Sequence, residues 1–385
     1  MKIVLSGVET NNKGAELMLY AILQEIERKW PDAIVYIPIE RMFHELSYIM
    51  TKLDFRYIPF GQLEQKLHLT GIFERLKIPF RFLPHMIAMG KIDYFLDGSG
   101  YSFSDKFNFS IRSAAILQGQ LSAYLKKGAE IIFLPQAFGP FEKKISKDIL
   151  TVLSHNATML MPREKVSLNY LKTSGLVDMN KVQMFTDFTS LVEGIFPSRY
   201  EHLRKGICII PNRQMINKGA VSMVGYLSLL KTVIDIAKEY GHVVYLLNHE
   251  GIMDEKLCED LKKEMSGNIE YVSGINALEV KGMIASAYTV ITSRFHGLAS
   301  SLNSGVPSLA TSWSHKYEEL LKDYGLDDSY LLPLNDLNAV IEKVKKLLDP
   351  QENLKVRSVI ENKVPVVKAQ TQEMWKAVWG ENQKQ

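Results

Sequence analysis

Short runs of apolar, β-branched residues alternate with longer amphipathic stretches along this chain of 385 residues, and the rhythm restarts once. Strands are expected at 2–6, 33–37, 94–96, 131–134, 159–161 and 182–185, with helices at 15–29, 109–127 and 164–173. A second series has strands at 207–210, 243–247, 269–272, 290–292 and 308–310. Its helices are expected at 221–240, 254–265, 278–287, 298–304 and 337–348. Such alternation builds parallel sheets with helices on both faces, because each crossover must bring the chain back in the same direction. The expected fold class is therefore α/β, with two Rossmann-like domains facing a cleft. The polar, proline-bearing stretch 196–204 marks the boundary, giving an N-terminal α/β domain over 1–196 and a C-terminal α/β domain over 204–365. A last amphipathic helix near 371–379 lies in a C-terminal helix and tail, 366–385, expected to pack back on the first domain.

Composition narrows the function classes. With 46 basic against 43 acidic residues there is no overall field to attract nucleic acid. Cys208 and Cys258 form no CxxC and suit a reducing compartment. The opening Met-Lys-Ile-Val-Leu-Ser-Gly is too short for a signal-peptide core, and no run reaches the ~18 apolar residues of a membrane span, so a cytoplasmic location is expected. Residues 66–92 interrupt the rhythm, mixing Phe73, Phe80 and Phe82 with Arg75, Lys77 and Arg81. That stretch reads either as core helix and loop or as a basic, aromatic surface resting on the inner face of an anionic membrane, where each cation contributes ~1 kcal/mol.

Several chemistries lack their signatures. GxGxxG after a strand, GxxxxGK[ST], HExxH, Asp-x-Asp and GxSxG are all missing, and the nine histidines are scattered. No metal site and no bound cofactor are expected.

Ligands of open α/β sheets bind beyond the carboxyl ends of the strands, so the polar residues there are the candidates. In the first domain these are Asn11 and Asn12 in the loop 7–16, Asp97-Gly98-Ser99-Gly100 with Asp105 close behind, and Pro135-Gln136-Ala137-Phe138-Gly139-Pro140. Pro162-Arg163-Glu164 and Thr186-Asp187 follow. The loop 7–16 reads equally as a plain strand–helix connection, and a strand-end Asp is more often a helix cap, but five polar strand ends in one domain are more than caps require. The strongest signal lies in the second domain: Thr292-Ser293-Arg294-Phe295-His296-Gly297, then Gly305-Val306-Pro307, then Ser312-Trp313-Ser314-His315-Lys316-Tyr317. Arginine grips carboxylate or phosphate bidentately, lysine adds a point charge, and histidine moves a proton near neutral pH.

These residues together resemble the bacterial polysaccharide pyruvyl transferases. Ser293 to Gly297, Gly305-Val306-Pro307 and 312–316 carry the likeness, joined by the Asp97–Gly100 turn, the Pro135–Pro140 segment and Arg163. The resemblance extends over nearly the whole chain and implies a glycosyltransferase-B-like fold. It also implies that phosphoenolpyruvate, as co-substrate, supplies a pyruvate ketal to a sugar of a cell-surface polysaccharide precursor. Two departures fall on the acceptor side. The first loop is longer than the family's Gly-Tyr-x-Asn-x-Gly-Asp, and the family's triple glycine is Gly98-Ser99-Gly100 here.

On this analogy Arg294, Lys316, Ser293 and Gly297 hold the donor, with Arg163 reaching across the cleft. His296 is the expected acid, and Asp97 or Asp187 accepts the hydroxyl proton. Asn11, Asn12, Gly98, Ser99, Gly100 and Gln136 are expected to meet the acceptor, either a polyprenyl-diphosphate-linked oligosaccharide or a sugar nucleotide. Two rivals share the same residues: a glycosyltransferase using a nucleotide sugar, whose diphosphate would occupy the Arg-x-His strand end, and a non-catalytic component of glycan assembly.

Overall fold

A computed structural model describes residues 1–38, 51–58, 91–312 and 316–381. The stretch 66–92, read either as core helix and loop or as a membrane-facing surface, lies outside the described residues except for its last two. Contacts divide the chain into two compact units. The first comprises Met1–Thr10, Met18–Asp187 and Met374–Gln385, and the second comprises Asn11–Leu17 and Phe188–Glu373.

The first unit is built on a parallel sheet of β1 (Lys2–Ser6), β2 (Ile34–Pro38), β3 (Asp54–Ile58), β4 (Tyr94–Asp97), β5 (Tyr101–Phe103), β6 (Glu130–Phe138) and β7 (Met159–Pro162). Its order is β3-β2-β1-β4-β6-β5, with β7 also paired to β6. The chain winds outward from β1 to β3 and then returns to lay β4 on the other side of β1, matching Ser6 with Asp97. Helices α1 (Lys13–Lys29), α2 (Ile111–Lys126), α3 (Lys144–Asn156) and α4 (Lys165–Ser174) make the crossovers. Helix α2 starts where Ser110 and Ser113 form a reciprocal capping box.

Two strands differ from expectation. Strand β6 continues through Pro135 to Phe138, because its register against β7 shifts between Phe133 and Gln136 and leaves room for a residue without an N–H. The strand expected at 182–185 shrinks to a single bridge between Leu160 and Val182, since Asp178 first caps a 3-10 turn over Met179–Lys181. Asp187 thus follows a loop.

The second unit repeats the winding with β8 (Ile207–Ile210), β9 (Val244–Leu247), β10 (Glu270–Val272), β11 (Thr289–Thr292) and β12 (Ser308–Ala310), in the order β10-β9-β8-β11-β12. All pairs are parallel, and β8, β9 and β11 are buried at every residue, as expected of strands covered on both faces. Around them lie α5 (Gln214–Asn217), α6 (Met223–Glu239), α7 (Gly251–Glu264), α8 (Ala277–Ala285), α9 (Phe295–Asn303), α10 (Lys316–Asp323), α11 (Leu337–Leu348) and α12 (Pro350–Val378).

The division falls at Asp187/Phe188, ahead of the 196–204 stretch. That stretch is a 3-10 turn, Ser198–Leu203, whose Leu203 is buried in the core cluster of β8, β9 and β11 with Phe196 and Tyr200 packed against it. Its apolar side chains tie it into the second unit. The C-terminal helix is also longer than expected, 29 residues from Pro350. Past its end, Trp379 donates to Glu25, stacks on Trp375 and meets Trp30 and Tyr94 edge-to-face, all within the first unit.

Candidate functional site

Each sheet has a switch point where the winding reverses, between β1 and β4 in the first unit and between β8 and β11 in the second. Adjacent crossovers leave in opposite directions there, so the strand ends are uncovered and form a crevice for ligands. In the second unit this places Asn212 next to Ser293. Asn212 donates to the Ser293 carbonyl at 2.8 Å, and its own Oδ1 accepts from Gln214 N. The Ser293 hydroxyl lies 2.6 Å from both Tyr226 Oη and Thr311 Oγ1, and Tyr317 donates to its carbonyl. Ser293, expected to touch the donor, is thus engaged in holding the strand ends together. Gly297 is a packing residue: a Cβ there would fall 2.5 Å from Thr292 Oγ1.

Arg294 precedes the first turn of α9 and is 9% exposed. Its Nε donates to Asp254 Oδ2 at 2.8 Å, one terminal nitrogen sits 2.5 Å from the same oxygen, and the other pairs with Glu250. Asp254 is fully buried on α7 and also accepts the Arg213 N–H at 2.9 Å. Burial penalises both charges, drawing Arg294 down to about 10 while pushing the Asp254 carboxyl upward; the ion pair is what each offers the other in return.

Around this pair gathers the segment Asn11–Leu17, which the contacts assign to the second unit. Asn12 forms an antiparallel bridge with Glu250 and donates to its Oε1 at 3.0 Å, while Lys13 N donates to the His249 carbonyl at 3.1 Å. Asn12 Oδ1 also accepts from Gly14 N, turning the chain into α1. Gly14 lies so close to His296 that a Cβ would stand 2.2 Å from Nδ1. Asn12, expected near the acceptor, thus sits beside the Arg294 and His296 region.

His296 is half-buried, with its ring edge-on to Phe295 at 5.3 Å. Lys316 opens α10 and holds its ammonium 5.1 Å from the centre of the same Phe295 ring. The structure therefore brings Arg294, His296 and Lys316 to one end of the second sheet. Trp313, Ser314 and His315 lie outside the described residues.

The first-unit crevice centres on Asp97, the last residue of β4 and 4% exposed. Its Oδ1 accepts from Ser99 N and from Gln136 Nε2, both at 3.2 Å. The Gly98-Ser99-Gly100 turn lies directly on the end of β1: Gly7, at φ +76°, would carry a Cβ only 2.5 Å from Ser99 N. Gln136 is fully buried, and its Oε1 meets no partner among the described residues. Arg163 N donates to the Gln136 carbonyl, and its side chain is buried with Nε 3.6 Å from Glu164. Asp187 is buried where the unit ends.

Sequence reasoning missed His249, Glu250 and Asp254. The signal was there: a polar Asn-His-Glu-Gly directly after a buried strand, at a strand end like the others singled out. The sequence pattern starts the helix at Asp254, whereas α7 begins at Gly251 and puts Asp254 on its buried side. Among the described residues no group of three or more His, Cys, Asp or Glu side chains could hold a metal ion, and no helix is long and apolar enough to cross a membrane.

Residues 12–315 match the family model for polysaccharide pyruvyl transferase. The chain is similar to the amylovoran biosynthesis protein AmsJ of Erwinia amylovora, at 22% identity over 398 residues covering 92% of this chain and 94% of that protein. Among solved structures, a putative UDP-N-acetylglucosamine 2-epimerase from Listeria monocytogenes superposes with a TM-score of 0.65 at 12% identity, covering 100% of this chain and 97% of that one. Anabaena Alr3699/HepE in complex with UDP and glucose gives 0.60 at 11% identity, covering 99% and 100%. These likenesses identify the fold as two Rossmann-like domains of the glycosyltransferase-B kind.

Proposed function

The chain belongs to the polysaccharide pyruvyl transferase family, and from that premise we propose that it transfers the carbon skeleton of phosphoenolpyruvate to a sugar of a cell-surface polysaccharide precursor, closing a pyruvate ketal. The observation that carries this reading is the cluster at one strand end: Arg294 fixed by Asp254, with His296 and Lys316 both against the Phe295 ring. A donor with a carboxylate and a phosphate needs fixed positive charge, and this is where the fold collects it.

Asp254 holds the inner edge of the Arg294 guanidinium, while the outer terminal nitrogen rests on the half-exposed Glu250. A donor carboxylate or phosphate takes the place of Glu250 on that outer nitrogen, and Lys316 adds a second charge. His296 protonates the methylene carbon, so the adjacent carbon becomes electrophilic. A sugar hydroxyl attacks that carbon and gives its proton to a general base. Inorganic phosphate leaves, and a second hydroxyl of the same sugar closes the ketal. No step draws on a metal ion or a cofactor.

The test is phosphate release from phosphoenolpyruvate in the presence of excess chelator, with lipid-linked oligosaccharides and sugar nucleotides as acceptors. Turnover with one acceptor class supports the reading and identifies the acceptor. Activity that needs magnesium or manganese and a nucleotide-sugar donor would replace it with the second reading, glycosyl transfer. That alternative is favoured by one specific observation, the UDP and glucose complex of the structurally similar Anabaena protein.

A further inference from the structure

His249 has no part in the mechanism above, yet its ring lies within electrostatic reach of Arg294 and His296. It follows β9, is 3% exposed, and its Nδ1 makes no hydrogen bond to another described residue. A buried imidazole nitrogen without a partner is costly where an apolar ring would fill the same space. Its backbone carbonyl is engaged, accepting from Lys13 N, so the ring is held while one ring nitrogen is left to bind something else.

The ring feels two cations and a second imidazole from two other elements: Lys13 on α1, and Arg294 and His296 at the start of α9. On its own side stand two carboxylates. Glu250 is joined to Arg294 and Asn12, and Asp254 is joined to Arg294 and Arg213. Burial and these three neighbours hold the His249 pKa well below its ordinary 6.5, so it rests neutral. An anion arriving here reverses that balance, because it offers both negative charge and an acceptor oxygen.

We propose that His249 binds a phosphoryl group at the switch point of the second unit and takes up one proton from solvent as that group arrives. The proton settles on the imidazole, the ring nitrogen donates to a phosphoryl oxygen, and the proton returns to solvent when phosphate departs. No covalent bond is made or broken. The phosphoryl group could come from phosphoenolpyruvate or from a nucleoside diphosphate. Only the first of these rests on the function proposed above.

Calorimetric titration near neutral pH, in buffers of different protonation enthalpy, measures the proton uptake directly. The probes are phosphoenolpyruvate, UDP and inorganic phosphate, each against wild type and His249→Gln. The expected result is proton uptake by wild type with at least one probe. In His249→Gln that uptake should vanish, with binding at least about tenfold weaker, as for loss of a hydrogen bond to a charged group. Binding to wild type without proton uptake, equal uptake in the variant, or no binding of any probe would overturn the assignment. Uptake with UDP but no binding of phosphoenolpyruvate would keep His249 and remove the pyruvyl-transfer reading; the reverse pattern, binding of phosphoenolpyruvate with uptake unchanged in the variant, would do the opposite. If His249→Gln does not fold, nitrogen-15 NMR of the wild-type imidazoles on probe addition decides, since a phosphoryl-binding His249 must become protonated.

Discussion

Arg294 and Asp254, 40 residues apart in the chain, meet through Nε and a terminal nitrogen on one fully buried carboxylate oxygen, at 2.8 and 2.5 Å. The arginine that the fold presents at its strand end is therefore aimed by helix α7 before any ligand arrives. Its outer nitrogen, held by a more exposed glutamate, is the part a donor can claim.

Replacing one member of a buried ion pair strands the other. Asp254→Asn should destabilise the protein by about 3–5 kcal/mol, read from denaturant unfolding. The double replacement Asp254→Leu with Arg294→Met should recover much of that loss while leaving no turnover. A single Asp254→Asn that unfolds like wild type would mean that the pair does not form in solution.

The roles of Arg294 and His296 separate kinetically. Arg294→Ala would leave Asp254 unpaired, so Arg294→Lys is the informative change: it keeps the charge but loses the fork. Donor affinity should fall roughly 10- to 150-fold with a near-native melting profile. His296→Gln should leave donor binding largely intact and lower turnover by about 10²–10⁴-fold. Near wild-type turnover in His296→Gln would remove it from the acid role.

Gly14 tests the contact between the N-terminal segment and His296. Alanine there would place a methyl 2.2 Å from His296 Nδ1 and 2.7 Å from Cγ, so the imidazole must move. A misplaced acid should cost turnover at least about tenfold, and overpacking should cost about 1–3 kcal/mol of stability. Gly119 on α2 is the control, with no atom within 4 Å of a Cβ. Gly119→Ala should leave turnover alone and add about 0.5–1 kcal/mol of stability. Equal activity of the two variants would show that Gly14 and His296 do not touch.

Stability should fall in acid through His249. Its native pKa lies well below 6.5, so the unfolded chain binds a proton under pH 6.5 that the native protein refuses. The stabilisation is full above 6.5 and declines as pH drops, at a limiting slope of about 1.4 kcal/mol per pH unit. His249→Gln should flatten that decline in unfolding experiments across the pH range below 6.5. An unchanged slope would place the acid sensitivity elsewhere.

How much of this could be read from the residues alone depends on the range of the forces involved. The strands Ile207–Ile210, Val244–Leu247 and Thr289–Thr292 are visible as apolar runs because both faces of each are buried, and burial on both faces is written locally as continuous hydrophobicity. The strand-end position of Arg294 and His296 follows from that pattern. Leu203 and its neighbours are different. Their polar, proline-bearing surroundings look like a linker, and only the packing of Leu203 into the second core shows otherwise. Local signals fail altogether where partners are distant. Nothing near Asn12 announces Glu250, 238 residues away, and nothing near Arg294 announces Asp254, because each pairing depends on which helix the crossovers lay beside which strand end. The alternation of short and long apolar periods was enough to specify two wound parallel sheets. Which charges neutralise one another at their ends, and which histidine is left buried among cations, is decided by packing in three dimensions, where desolvation makes every such pairing count.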